Sequence, residues 1–169
     1  YGKDFRFTRI NADFQNGDVV AAGENKGKLM VTWLDRLGES KLARNFQPDE
    51  FNEILNLVPL PDGTLLLTGT YAASGRNTGA GGRVMVLSRQ GLLKHDITLG
   101  KEGTRVTGGQ QLPSGGLVLC GDMPVAEKGR SAFVCVVNRE DEVVYTYVST
   151  AGETCAHVEL MNGNSASLC

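Results

Sequence analysis

Cys155, His157 and Glu159 alternate in CAHVEL, so a strand there would put all three on one face, about 7 Å apart in sequence order. A thiol, an imidazole and a carboxylate so arranged could hold a metal or pair a nucleophile with a base. Metal and triad side chains normally converge from several elements, however, and one strand cannot supply that convergence. Ordinary strand packing is the expectation for these three.

Residues better suited to contact lie elsewhere. The stretch TYAASGRNTGAGGR, Thr70 to Arg83, combines small residues with a few strong hydrogen-bonding groups. Tyr71 offers an apolar ring with a polar tip, Asn77 both donates and accepts, and Arg76 is a planar five-donor cation suited to a carboxylate, a phosphate or a pair of sugar hydroxyls. The GAGG run, Gly79 to Gly82, lacks GxGxxG spacing and leads into RVMVL rather than a helix, so no dinucleotide site is expected. MPVAEKGR, Met123 to Arg130, sets Glu127 beside Lys128 and Arg130 at a hairpin tip, and Arg105 follows the connection KEGT. Ligand contact is assigned to Arg76, Asn77, Tyr71, Arg105, Lys128 and Glu127. No catalytic residue, metal ligand or cofactor is assigned.

Paired acids for glycoside hydrolysis must face each other across a cleft. Asp13, Asp18, Asp62, Asp122 and Glu159 fall near strand ends, but nothing in the chain selects a pair. Asp62 has an internal explanation as a turn former, since Asn16, Ser114 and Asn162 hold the same place in similar turns. Arg36, Arg89 and Arg139 also recur at one turn position and are read as exposed, solubilising side chains. His95, in LLKHDITL, is expected on an outermost strand, exposed or against a sheet edge.

The elements that must position these residues repeat. NGDVVAAG (Asn16 to Gly23), DGTLLLTG (Asp62 to Gly69) and SGGLVLCG (Ser114 to Gly121) share a polar residue, a leading glycine, five residues and a closing glycine. MNGN, Met161 to Asn164, repeats the opening without the strand. The leading glycines Gly17, Gly63, Gly115 and Gly163 are 46, 52 and 48 positions apart, a spacing suited to a four-stranded antiparallel unit. A second block follows each: WLDRLGE, VLSRQGL and VVNREDE, in which Asp35, Ser88 and Asn138 can bond their own backbone two residues on, near Gly38, Gly91 and Asp141. Units are expected over about 5–46, 51–99 and 104–149, with a partial fourth over 154–169, forming one domain. Helix is expected nowhere: Gly is 22 of 169 residues, and the apolar runs are short and rich in Val, Thr and Leu. VVAA, LLL and LVLC are apolar at consecutive positions, as strands covered on both faces should be.

LPDGTLLLTG with VMVLSRQG, and LPSGGLVLCG with VCVVNRED, resemble the blades of β-propellers of the kelch-like, quinoprotein-like or bacterial glycine-rich kind. The resemblance spans Phe5 to about Asn164 and implies an all-β fold of consecutive four-stranded blades, which functions as enzyme, sensor or scaffold. The chain departs from kelch blades in lacking their double glycine and Tyr/Trp pair. It also lacks the WD dipeptide and the quinoprotein tryptophan motif, so no cofactor carries over. Three units in 169 residues also fit a β-trefoil, the alternative fold. Three blades and the start of a fourth do not close a ring, so the chain is expected to be a segment of a larger propeller, with self-association into a complete ring as the alternative.

Composition narrows function further. Seventeen basic and nineteen acidic residues, interspersed, give a net charge of -2 and no positive field for nucleic acid or anionic membrane. No apolar run approaches the roughly 20 residues that span a bilayer. Cys120, Cys135, Cys155 and Cys169 lack CxxC spacing and are read as free or incidental thiols. Compartment stays open, a secreted or periplasmic one being favoured over the cytoplasm. The second-to-third strand loops differ in length (Gly23 to Arg36, Gly69 to Arg89 and Gly121 to Arg139 span 13, 20 and 18 positions) while the scaffold repeats. That contrast suggests a non-enzymatic binding or interaction module for a protein or glycan. The alternative is part of a glycan- or peptide-directed hydrolase or lyase whose site is completed by absent blades.

Overall fold

The computed structural model describes residues 5–13, 17–25, 28–47, 50–72, 80–126, 129–150, 155, 158–161 and 165–168. Short apolar runs between glycine-containing turns fold as strands. These are β1 (Phe5–Asp13), β2 (Asp18–Asn25), β3 (Lys28–Leu34) and β4 (Ser40–Asn45), then β5 (Glu53–Pro59), β6 (Leu65–Tyr71), β7 (Gly81–Leu87) and β8 (Leu93–Leu99). The third set is β9 (Arg105–Gln111), β10 (Leu117–Val125), β11 (Gly129–Val137) and β12 (Val143–Val148), followed by β13 (Val158–Met161) and β14 (Ser165–Leu168). Each set of four is an antiparallel sheet in chain order, and β13 pairs with β14. Among the described residues strand pairing stays inside each sheet, as in consecutive blades and not as in the trefoil alternative. Strand β14 also supplies the strand that the sequence around MNGN does not reveal.

First strands neighbour one another across the array: β1 packs on β5, β5 on β9 and β9 on β13. Side chains reinforce this. Arg9 Nε donates to Leu55 O at 2.5 Å and Asn11 Nδ2 to Leu57 O at 3.0 Å, while Thr107 Oγ1 donates to Cys155 O at 2.6 Å.

The core lies in the seams between sheets. Val20, Ala22, Val31 and Trp33 of the first sheet meet Ile54, Leu57, Leu65, Leu67, Met85 and Leu87 of the second. The opposite face of the second sheet, with Leu66, Val84 and Val86, meets Val106, Leu117, Leu119 and Phe133 of the third. Alternate side chains point to opposite faces, so Leu65 and Leu67 serve one seam and Leu66 the other. Burial on both faces explains why LLL and LVLC do not alternate with polar residues; each such leucine contributes about 1.5–3 kcal/mol.

Two local devices recur in all three sheets. Pairing of the first and second strands slips at Phe7/Arg9, at Ile54/Asn56 and at Cys120/Gly121, so each first strand carries a bulge. Opposite it stands the closing glycine, where a Cβ would overlap the carbonyl oxygen of Arg6 (at Gly23), Glu53 (at Gly69) or Arg105 (at Gly121). The leading glycines Gly17, Gly63 and Gly115 have φ of 66°, 82° and 89°, a left-handed conformation that favours glycine.

Candidate functional site

The hairpin loops of unequal length lie at one end of the sheets. There β2 and β3 are joined by residues 26–27, β6 and β7 by 72–80, and β10 and β11 by 126–128. Of the residues assigned from the sequence, Tyr71 ends β6 and Arg105 opens β9 at this end; Arg105 is exposed. Arg76, Asn77, Glu127 and Lys128 lie outside the described residues, on the two longer loops.

Other residues hold this end in shape. The guanidinium of Arg83 sits 5.3 Å from the Tyr71 ring centroid and pairs with Asp96 at 2.7 Å. The second sheet thus sets a largely covered cation over an aromatic ring. In the third sheet the buried carboxylate of Asp122 pairs with Arg130, whose Nη2 also donates to Gly103 O at 2.7 Å. Arg130, which the sequence groups with Glu127 and Lys128, therefore ties the β10–β11 hairpin to the connection between the second and third sheets. The Arg83–Asp96 pair escapes sequence reading because its partners are 13 positions apart on adjacent strands; only their period-2 registers could have suggested it.

At the opposite end, first-to-second turns meet third-to-fourth turns. Asp35 Oδ1 accepts from the amides of Leu37 and Glu39, Ser88 Oγ from Gln90 and Leu92, and Asn138 Oδ1 from Glu140 and Glu142. The Glu39 amide first, helped by that of Leu37, outweighs desolvation and holds the Asp35 carboxyl below its ordinary value. The recurrent arginines do more than solubilise. A Cβ on Gly17, Gly63 or Gly115 would meet Nε of Arg36, Arg89 or Arg139 at 3.2, 2.6 or 2.5 Å, so each arginine lies across the leading glycine of its own sheet. Arg89 Nε also donates to Gly63 O at 3.3 Å.

Between the second and third sheets this end opens into a cleft of about 260 Å³. Leu60, Val86 and Leu117 form its apolar wall, and Asp62, Lys94, His95, Gln111, Arg139 and Asp141 its polar groups. His95 lies on β8, the outermost strand of its sheet, as expected, and also reaches across the seam: its Nδ1 lies 2.6 Å from Asp141 Oδ1. Asp62 accepts from the Thr64 amide and hydroxyl at 2.9 and 2.6 Å and from Gln111 Nε2 at 3.1 Å. Burial alone would raise the Asp62 carboxyl, but these donors together hold it below its ordinary value.

Cys155 is buried beside Cys120, Val118 and Val134, and its carbonyl is the acceptor for Thr107. It stands eight positions before Gly163 in the sequence, as Leu55 stands before Gly63 and Thr107 before Gly115, and its carbonyl accepts from the preceding sheet as that of Leu55 does from Arg9. His157 lies outside the described residues. Burial first, then the neighbouring Cys155, raises the Cys120 thiol, and burial pushes Cys135 up to about 12. Cys120, Cys135 and Cys155 form no disulfide.

Sheets in chain order, first strands side by side and seams filled from both faces match known propellers. A streptogramin B lyase structure superposes with a TM-score of 0.63 and 15% identity, over 96% of this chain and 47% of that one. The structure of a Dos1 propeller gives 0.61 and 12%, over 96% and 42%. The fold is that of a β-propeller. The chain spans less than half the length of either structure. No protein-family model matches it, and no curated protein matches it significantly.

Proposed function

We propose that the chain is a non-enzymatic binding module, a segment of a larger propeller, that presents the loop end to a protein or glycan. The observation that carries this reading is the contrast between a backbone built the same way three times and connections at one end that differ each time. In this reading Arg76 and Asn77 project contacts from the longest loop, Tyr71 and Arg105 flank them, and Glu127 and Lys128 add a second polar tip. Arg83, Asp96, Asp122 and Arg130 keep the platform rigid, which lowers the ordering cost of binding.

A glycan array probed with the chain and with the double variant Arg76→Ala/Asn77→Ala tests it. Circular dichroism and melting should be nearly unchanged while array signal falls. Signal equal to that of the parent would remove both residues from the site. The likeness to a lyase of propeller fold supports a second reading, a hydrolase or lyase completed by further blades. Turnover of polysaccharide or peptide by a longer polypeptide, lost on substituting an acid of the loop end, would favour it over the first.

A further inference from the structure

Because the sheets repeat, each seam can be compared position by position with the next. Trp33 and Leu42 face each other on the third and fourth strands of the first sheet, and Val86 and His95 hold the same places in the second. Between the first and second sheets, Trp33 and Leu42 close over Gly91. A Cβ on that glycine would meet Leu42 Cδ2 at 3.2 Å and the Trp33 ring at 3.9 Å, and only about 10 Å³ stays open. Between the second and third sheets, Val86 and His95 replace that pair, Asp141 replaces the glycine, and the space is about 260 Å³.

Charge changes at equivalent positions as well. Lys41 of the first sheet pairs with Asp18 at 2.8 Å. Its counterpart Lys94 shares the cleft with Thr64, which stands where Asp18 does after the leading glycine. The two carboxylates of the cleft are already held, Asp62 by Thr64 and Gln111 and Asp141 by His95. Lys94 and Arg139 pair with no carboxylate among the described residues. The donor capacity left over in the cleft is therefore cationic, beside an apolar wall.

We propose that this cleft binds a small organic acid, its carboxylate on Lys94 and Arg139 and its apolar body against Leu60, Val86 and Leu117. The volume is below the roughly 300–1,000 Å³ of drug-sized sites, so the ligand has few heavy atoms. Arginine supplies two parallel donors to a carboxylate and lysine a point charge.

The test is a methyl chemical-shift titration of the chain with isovalerate, its amide isovaleramide and isopentylamine. Isovalerate should shift the Leu60, Val86 and Leu117 methyl signals saturably. Lys94→Ala, at an exposed position, should weaken it by about tenfold, the effect of one charge-assisted contact. Isovaleramide should bind more weakly by a similar factor, and isopentylamine should bind no better than the amide. Val86→Trp, which copies the filled seam, should abolish the shifts; if that variant does not fold, the Lys94→Ala comparison decides. No saturable shift with isovalerate, equal binding of the amide, preference for the amine, or indifference to Lys94→Ala would overturn the proposal.

Discussion

At the scale of single residues, glycines hold their places for two separable reasons. Gly69 has no room, since a Cβ there would overlap the Glu53 carbonyl across the bulge. Gly38 has room, with nothing within 4 Å, but adopts φ 79°. Gly69→Val should therefore cost about 3 kcal/mol, the upper range for overpacking, whereas Gly38→Ala should cost about 1 kcal/mol of left-handed strain. Denaturant melts measure both, and equal losses would contradict the distinction. The spacing of these glycines is plain in the sequence, but the obstacle at Gly69 is not, because the opposing carbonyl arrives from a different strand. Thiol chemistry is a second check at this scale. Cys120 and Cys135 are buried with raised thiols, so mass spectrometry after alkylation near neutral pH should find both unmodified until denaturant is added. Rapid labelling of either in the native protein would contradict their placement.

Strands and turns give the next scale. The turns after β3, β7 and β11 use aspartate, serine and asparagine for one task, accepting two backbone amides, and that equivalence is legible from WLDRLGE, VLSRQGL and VVNREDE alone. Asp35 and Asp62 make their turn bonds as carboxylates and are depressed from 3.8 in the folded chain. A depressed folded value means stability that is present above the unfolded pKa and lost as pH falls through the folded one. The melting temperature should thus fall below about pH 4, and an Asp35→Ser variant, which copies the turn at Ser88, should show a shallower acid slope. An identical slope would mean that Asp35 is not involved. The β10–β11 hairpin carries a different test. Arg130→Met leaves the Asp122 carboxylate buried without its partner and should lower stability by about 2 kcal/mol, less than for a fully buried pair because Arg130 is partly exposed. Adding Asp122→Asn should restore part of that loss; no recovery would argue against the pair. Neither Asp122 nor Arg130 is distinguishable in sequence from a solvated charge, because burial, not spacing, gives them their role.

For the molecule as a whole, the seams hold the core, and the ends carry recognition in the proposed function. Consecutive apolar residues in LLL and LVLC announce sheets covered on both faces, so the architecture is readable before any coordinate. The cleft is not, since it arises from differences at Trp33, Leu42 and Asp18 against Val86, His95 and Thr64 that matter only once neighbouring sheets are stacked. The proposed loop-end site is legible in position only: Tyr71 and Arg105 fall at that end, while the placement of Arg83 against Tyr71 needs the paired registers of β6 and β7. Ile10 on β1 and Tyr145 on β12 are 64% and 56% exposed, apolar surface that further blades would cover in the proposed larger ring. The stacking of three equivalent sheets is the claim on which the rest stands, and a methyl-resolved nuclear Overhauser spectrum of the chain tests it most directly. Leu42 methyls should show contacts to Gly91, Val106 methyls to Gly82, and Leu66 methyls to Gly109, each across a seam. Intact contacts within the sheets with all three of these missing would show that the sheets form but do not stack, and would contradict the account.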